Sequence, residues 1–159
     1  MNTPTNQSAE RGAAVAFVPD LLYVGGRFGR GLALVCDEEA GRVVRVARAD
    51  EELGGRVVRL PGRALLPGMV NAHSHAFQRV IRGRTEHRAA ARDSFWTWRE
   101  MMYGAASRLT PEDLYDASRM AFLEMALGGV TAVGEFHYLH RAPGGGEYED
   151  PNLLAKEVV

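Results

Sequence analysis

The chain has 159 residues, 46% hydrophobic and 25% charged, enough apolar material for a globular core and a composition that excludes disordered and collagen-like classes. Lys+Arg 19 against Asp+Glu 20 leaves a formal charge of −1 at pH 7, so no broad field favours nucleic acid or an anionic lipid surface, and recognition must be local. The single cysteine, Cys36, forbids an intrachain disulfide and suits a reducing compartment; its ordinary role is that of a small buried or half-buried residue.

Residues 1–12, MNTPTNQSAERG, are polar and unpatterned and predict a mobile tail outside the chemistry. The apolar stretch from Ala13 to Val18 is too short for a membrane span and lacks the flanks of a secretory signal, so no membrane association and a cytoplasmic location are expected. From 13 to 66, short β-branched runs are broken by glycine, as in "LLYVGG", "GLALVC", "RVVRVA" and "RVVRLP", and predict a small β-sheet domain. The two Arg-Val-Val-Arg segments resemble each other as neighbouring hairpin strands do, and are not taken as a repeat. The glycines at 25–31 lack the spacing of a phosphate-cradling loop.

After Pro67 the period changes. "GMVNAHSH" fits a buried strand, and a segment of helical character follows, including "DSFWTWREMMYGAASRL". In "TPEDLYDASRMAFLEMALGG", Thr110 is placed to cap, Pro111 takes the first helical position, and Glu112 and Asp113 favour the positive end of the dipole. Leu114, Ala117, Ala121, Phe122 and Met125 mark the buried face, and Gly128-Gly129 ends the helix. "VTAVGEFHYLH" reads as the next strand, "APGGGEYED" as a loop, and "DPNLLAKEVV" as the start of one more helix. Strand, helix and strand in this rhythm predict βα units and a parallel sheet over 67–159. Two parallel strands alone would expose an edge, so 68–159 is not expected to be stable by itself.

The chemistry concentrates in "LPGMVNAHSHAFQR", residues 66–79. On a strand, positions i and i+2 share a face, so His73 and His75 are placed to approach one divalent ion, with Ser74 facing away. The plainer reading is two polar residues where a strand meets a loop. A Pro-Gly turn before the pair and a helical region after it are the setting that favours the metal.

"LLPGMVNAHSHAFQR" resembles the first barrel strand of the amidohydrolase superfamily, in which a small β-domain precedes the barrel and H-x-H supplies two metal ligands. More narrowly, "NAHSHAFQRVIRGRTE", "DSFWTWREMMY" and "GEFHYLHR", in this order, resemble the formimidoylglutamate deiminase family. The resemblance implies an α/β fold: a small N-terminal β-sheet domain, then the first two βα units of a (β/α)8 TIM-type metal-dependent hydrolase barrel, a fold of about 250 residues. It implies a zinc ion in each full-length subunit, iron(II) being the alternative, that lowers the pKa of its water to about 7. It implies hydrolysis of N-formimino-L-glutamate to N-formyl-L-glutamate and ammonia in histidine degradation, by enzymes that are commonly homodimers.

The same resemblance implies metal ligation by His73 and His75, and substrate contacts from Gln78, Arg99 and Tyr138. Arg99 would grip a carboxylate with its bidentate fork, and Gln78 and Tyr138 would orient the small-molecule substrate through neutral hydrogen bonds. The bland alternatives are a surface ion pair for Arg99 and a core-capping role for Tyr138. Arg82, Arg84, Arg88 and Arg92 compete with Arg99 for the carboxylates. Phe95, Trp96 and Trp98 suit packing better than a cation-π cage, and His87 suits a solvated run. His137 and His140 are further candidate ligands, but strand alternation forbids His137 and Tyr138 from pointing the same way unless the strand has ended. The further ligands that the resemblance implies, a histidine and an aspartate from later strands, and a proton-shuttling carboxylate, are expected beyond Val159. No catalytic acid/base is therefore expected within these residues, and the chain alone is expected to be inactive. Two other readings remain: a deaminase acting on a cyclic amidine such as guanine or an adenosine derivative, and a truncated non-catalytic remnant.

Overall fold

The β-branched runs before Pro67 form five strands in a computed structural model that describes residues 14–86 and 94–159. The expected tail at 1–12 lies outside the described residues, as do His87, Arg88 and Arg92. The chain divides at Pro67/Gly68 into two compact units.

In the first unit β1 (Ala14–Val24) is central. Its C-terminal end pairs antiparallel with β2 (Arg27–Gly29) and its N-terminal end with β3 (Leu32–Asp37). β4 (Arg42–Arg48) adds to β3, also antiparallel, and β5 (Arg56–Leu65) runs parallel to β1. Gly25 and Gly26, at φ of 58° and 80°, make the two-residue hairpin turn between β1 and β2, a conformation that excludes most side chains.

The Arg-Val-Val-Arg segments fall in β4 and β5, which do not pair with each other, and this corrects the expectation of neighbouring hairpin strands. A period-2 pattern states which face a strand buries, not which strand lies beside it. Pro19 interrupts the β1–β5 ladder, where the register shifts between Pro19 and Leu21. Across that gap the Asp20 carboxylate accepts the Gly62 N–H at 2.9 Å. The buried centre is Ala16, Ala33, Val35 and Ala47, with Val18 and Leu53 packed against it, and Cys36 is a half-buried free thiol.

The second unit runs β6 (Met69–Ser74), a 3-10 turn at Ala76–Ile81, α1 (Phe95–Ala106), α2 (Pro111–Leu127), β7 (Val130–Glu135), a short 3-10 turn at Pro143–Gly145 and α3 (Leu153–Lys156). β6 and β7 are parallel neighbours, so the chain is mixed α/β with the strand order that the sequence rhythm predicts. A Cβ at Gly68 would lie 2.2 Å from Thr131 Oγ1, so only glycine lets the entry to β6 pass this close to β7.

α2 starts as its sequence predicts. Thr110 accepts from the Asp113 N–H at 3.2 Å, and the Asp113 carboxylate returns the bond to the Thr110 N–H at 3.1 Å. Its buried face is Leu114, Ala117, Ser118 and Ala121, with Phe122 and Met125 half-buried. Leu114 joins Phe77, Ile81, Met102, Leu154 and Val158 in the core of this unit.

Two predicted elements are shorter than their patterns. The strand expected over "VTAVGEFHYLH" ends at Glu135, because β6 turns away at Ser74 and leaves the later residues no ladder partner there. α3 is a single turn, with Lys156 bonded back to Asp150 at 2.5 Å. No helix among the described residues is long and apolar enough to cross a membrane.

Candidate metal centre

His73 and His75 converge for a reason that alternation alone does not supply. Asn71 pairs with Val133 and Ser74 with Glu135, so β6 takes three steps where β7 takes two. The Asn71 Oδ1 accepts the His73 N–H at 3.1 Å across this bulge, and bulges re-aim the side chains they carry. Ser74 is buried, the strand stops, and the chain turns into the 3-10 segment with His75 at φ −134° and ψ 80°. The two imidazoles meet edge to face with centroids 4.9 Å apart, and their Nε2 atoms are separated by 3.1 Å.

That separation can be tested against a metal. Two nitrogens bound tetrahedrally at 2.0–2.1 Å stand about 3.3 Å apart, close to the spacing seen. The Nδ1 of His75 lies 2.9 Å from the Phe136 carbonyl oxygen, which can only accept, so Nδ1 carries the proton and Nε2 presents its lone pair to His73. An imidazole whose outer nitrogen is held by a carbonyl is the usual arrangement behind a metal-binding nitrogen. The pair therefore fits as two ligands of one ion, and no group of three or more His, Cys, Asp or Glu suited to a metal occurs among the described residues.

Gln78 and Tyr138 are brought together beside the pair. The Gln78 Nε2 donates to the Tyr138 hydroxyl at 3.1 Å, and both lie 3.4 Å from the Met102 sulfur. The Tyr138 ring stands edge to face against His75 at 5.1 Å and against Phe77 at 5.2 Å. Tyr138 can do this because β7 has ended at Glu135, the condition under which its direction is released from strand alternation. Arg99 stands apart from this group. Its guanidinium lies 5.4 Å from the Trp96 ring centre and 5.1 Å from that of Tyr103, one helical turn from Met102. Trp96 thus takes the cation-π role that packing was expected to displace, whereas Trp98 packs on the core.

The other candidate ligands turn elsewhere. The His137 Nε2 donates to the Leu139 carbonyl at 2.5 Å, and its ring lies 5.4 Å from that of His140. Burial lowers the His137 pKa below its ordinary value; the Leu139 carbonyl and Glu135 oppose this and His140 adds to it. Arg82 is committed to Glu124 at 2.8 Å, and the same carboxylate takes a bidentate bond from Arg79 at 2.8 and 3.0 Å. The hydrogen bond from Arg79 holds Glu124 below its ordinary value, against the opposing effect of burial, with Arg82 helping. Asn71, His73, His75, Arg79 and Glu124 are among the residues that line a depression of about 440 Å³. Sequence reasoning missed Asn71, Glu124 and Glu135; only the Asn at the start of "NAHSH" carried a local signal, the tendency of Asn to bond backbone two residues on.

The amidohydrolase family profile matches residues 64–155, the span that holds the histidine pair, Gln78, Arg99 and Tyr138. The chain belongs to the amidohydrolase family. Among curated amidohydrolase relatives it is 47% identical over 97 residues to formimidoylglutamate deiminase of Pseudomonas aeruginosa, a match covering 61% of this chain and 21% of that protein. It is 31% identical over 105 residues to the 5-methylthioadenosine/S-adenosylhomocysteine deaminase of Natronomonas pharaonis, covering 66% of this chain and 23% of that protein. The crystal structure of an amidohydrolase from Brucella melitensis matches 90% of this chain with a TM-score of 0.76 at 30% identity, over 31% of its own length. This amidohydrolase chain thus spans less than a quarter of the length of either curated relative.

Proposed function

We propose that this chain carries part of the site of a metal-dependent deiminase that hydrolyses N-formimino-L-glutamate. The observation that carries the reading is the pair of imidazole Nε2 atoms 3.1 Å apart, with the outer nitrogen of His75 engaged by a carbonyl. The linear amidine substrate is supported by the 47% identity to a formimidoylglutamate deiminase. We read 67–159 as the opening βα units of a (β/α)8 barrel, on the parallel pairing of β6 with β7 across two helices. A homodimer in the cytoplasm accompanies that reading.

His73 and His75 would hold the ion, zinc or iron(II), with the remaining ligands and the proton-transferring carboxylate coming from elsewhere in the whole protein. A bound zinc ion supplies an ionised water near neutral pH, with a pKa of about 7. The reaction adds water across the amidine and expels its terminal nitrogen: R–NH–CH=NH2⁺ + H2O → R–NH–CHO + NH4⁺. Arg99, held between the Trp96 and Tyr103 rings with one Nη donating to the Tyr103 hydroxyl at 3.4 Å, would grip a substrate carboxylate with its remaining N–H groups. Gln78 and Tyr138, already bonded to each other, orient the substrate by neutral hydrogen bonds.

A second reading, supported by the 31% identity to an adenosine-derivative deaminase, keeps this chemistry and changes the substrate to a cyclic amidine. The test is ammonia release by the protein in the longest form its gene encodes, reconstituted with zinc, from N-formimino-L-glutamate and from 5-methylthioadenosine. Turnover of the first alone supports the deiminase, turnover of the second alone replaces it with the purine reading, and turnover of neither refutes both.

A further inference from the structure

We propose that Glu135 is a positioning residue for the histidine pair, acting on His75 through the backbone amide of Ala76. The inference rests on reading His73 and His75 as metal ligands. Glu135 is the last residue of β7 and pairs in the ladder with Ser74, the residue before His75. Its Oε1 accepts the N–H of Ala76, the residue after His75, at 2.8 Å. Phe136 completes the frame: its N–H donates to the Ser74 carbonyl at 2.9 Å, and its carbonyl accepts from His75 Nδ1 at 2.9 Å. Residues 135 and 136 thus hold His75 by the peptide before it, by its own ring and by the peptide after it.

Only one of these ties uses a side chain of residues 135 and 136, and it falls on a group that needs it. Ala76 is 2% exposed and opens a 3-10 turn, so its N–H has no partner within the turn and no ready access to water. Without the Glu135 oxygen this buried amide must find another acceptor, and the rotation that does so acts at His75. Turning that residue carries its imidazole away from His73, and two ligand nitrogens must converge on one point to bind an ion together. The task needs an acceptor oxygen at the reach of a glutamate side chain, and it does not need a charge. The second carboxylate oxygen, Oε2, is buried without a hydrogen-bond partner among the described residues, so only Oε1 makes a tie.

The test compares Glu135→Gln with Glu135→Asp in the longest form of the protein that its gene encodes. Gln keeps an acceptor in place and removes the charge; Asp keeps the charge and withdraws the oxygen by one methylene. Zinc affinity is measured by competition with a chromophoric chelator, cobalt(II) absorption reports the coordination, and the melting of the metal-free protein reports the fold. The expected result is an affinity within about threefold of wild type for Gln, and a loss of about 10–100-fold for Asp with the metal-free melt unchanged. A Gln variant as weak as Asp, or an Asp variant as tight as wild type, overturns the proposal. Wild-type protein that binds neither zinc nor cobalt overturns the metal reading itself, and this inference with it.

Discussion

Leu114 and Leu127 lie on the same helix, and the same substitution at each isolates the worth of burial. Leu114 is fully buried against Phe77, Ile81, Met102, Leu154 and Val158, whereas Leu127 is 80% exposed. Replacing Leu by Ala removes three carbon groups, about 2.4 kcal/mol of lost transfer free energy at a buried site. The space left behind, if its walls do not collapse, adds up to about 2 kcal/mol at about 24 cal/mol per Å³. Leu114→Ala is therefore expected to destabilise by about 2.5–4.5 kcal/mol. Leu127→Ala should stay within about 0.5 kcal/mol of wild type, since helix propensity differs little between the two residues. Urea unfolding followed by far-UV circular dichroism measures both, and a loss of 3 kcal/mol moves the midpoint by about 1–3 M for slopes of 1–3 kcal/mol/M. A gap under 1 kcal/mol between the variants would refute the assignment of this core. Phe77 sits in the same cluster and next to Gln78, so loosening it should also weaken the site before the protein unfolds.

Three further outcomes are expected. Because Arg79 and Arg82 lower the Glu124 pKa, their contribution is fully present above its ordinary value of 4.5 and is lost as pH falls through the depressed value; Glu124→Gln should flatten the acid limb of a plot of urea midpoint against pH, and an unaltered limb would count against the pairing. Thr110→Ala removes the oxygen that accepts the Asp113 N–H and should cost about 1 kcal/mol, read as a lowered urea midpoint with unchanged slope. On the proposed function, and in the longest form of the protein that its gene encodes, Tyr138→Phe deletes the acceptor of the Gln78 amide and should lower kcat/KM for N-formimino-L-glutamate about 3- to 10-fold, with fold and metal content retained; an unchanged value would remove Tyr138 from substrate orientation.

The local pattern made much of this protein legible. The cap of α2, with Thr110, Pro111 and Asp113, and its buried stripe from Leu114 to Ala121 follow from rules that act within one or two turns of helix. Legibility faded where a residue's role depends on a distant partner. Ser118 lies on the buried face of α2 although its hydroxyl gave no reason to place it there. Glu124 went unremarked in the sequence, and its two arginines lie more than forty residues earlier. Glu135 read as one alternating position of a strand, and its partner amide is 59 residues away.

The sequence by itself determined the alternation of strands and helices, the change of period after Pro67, and the placing of His73, His75 and Gln78 at or just beyond a strand end. These depend on side-chain periodicity and on turn and cap chemistry, which a few neighbouring residues settle among themselves. Only the tertiary structure decided that β5 lies on β1 and not on β4, that a bulge held by Asn71 brings the imidazoles together, and that β7 stops in time to turn Tyr138 toward His75. Strand partners, registers and buried polar ties are chosen by the free energy of the whole packed unit, in which residues far apart in the chain compete for the same places.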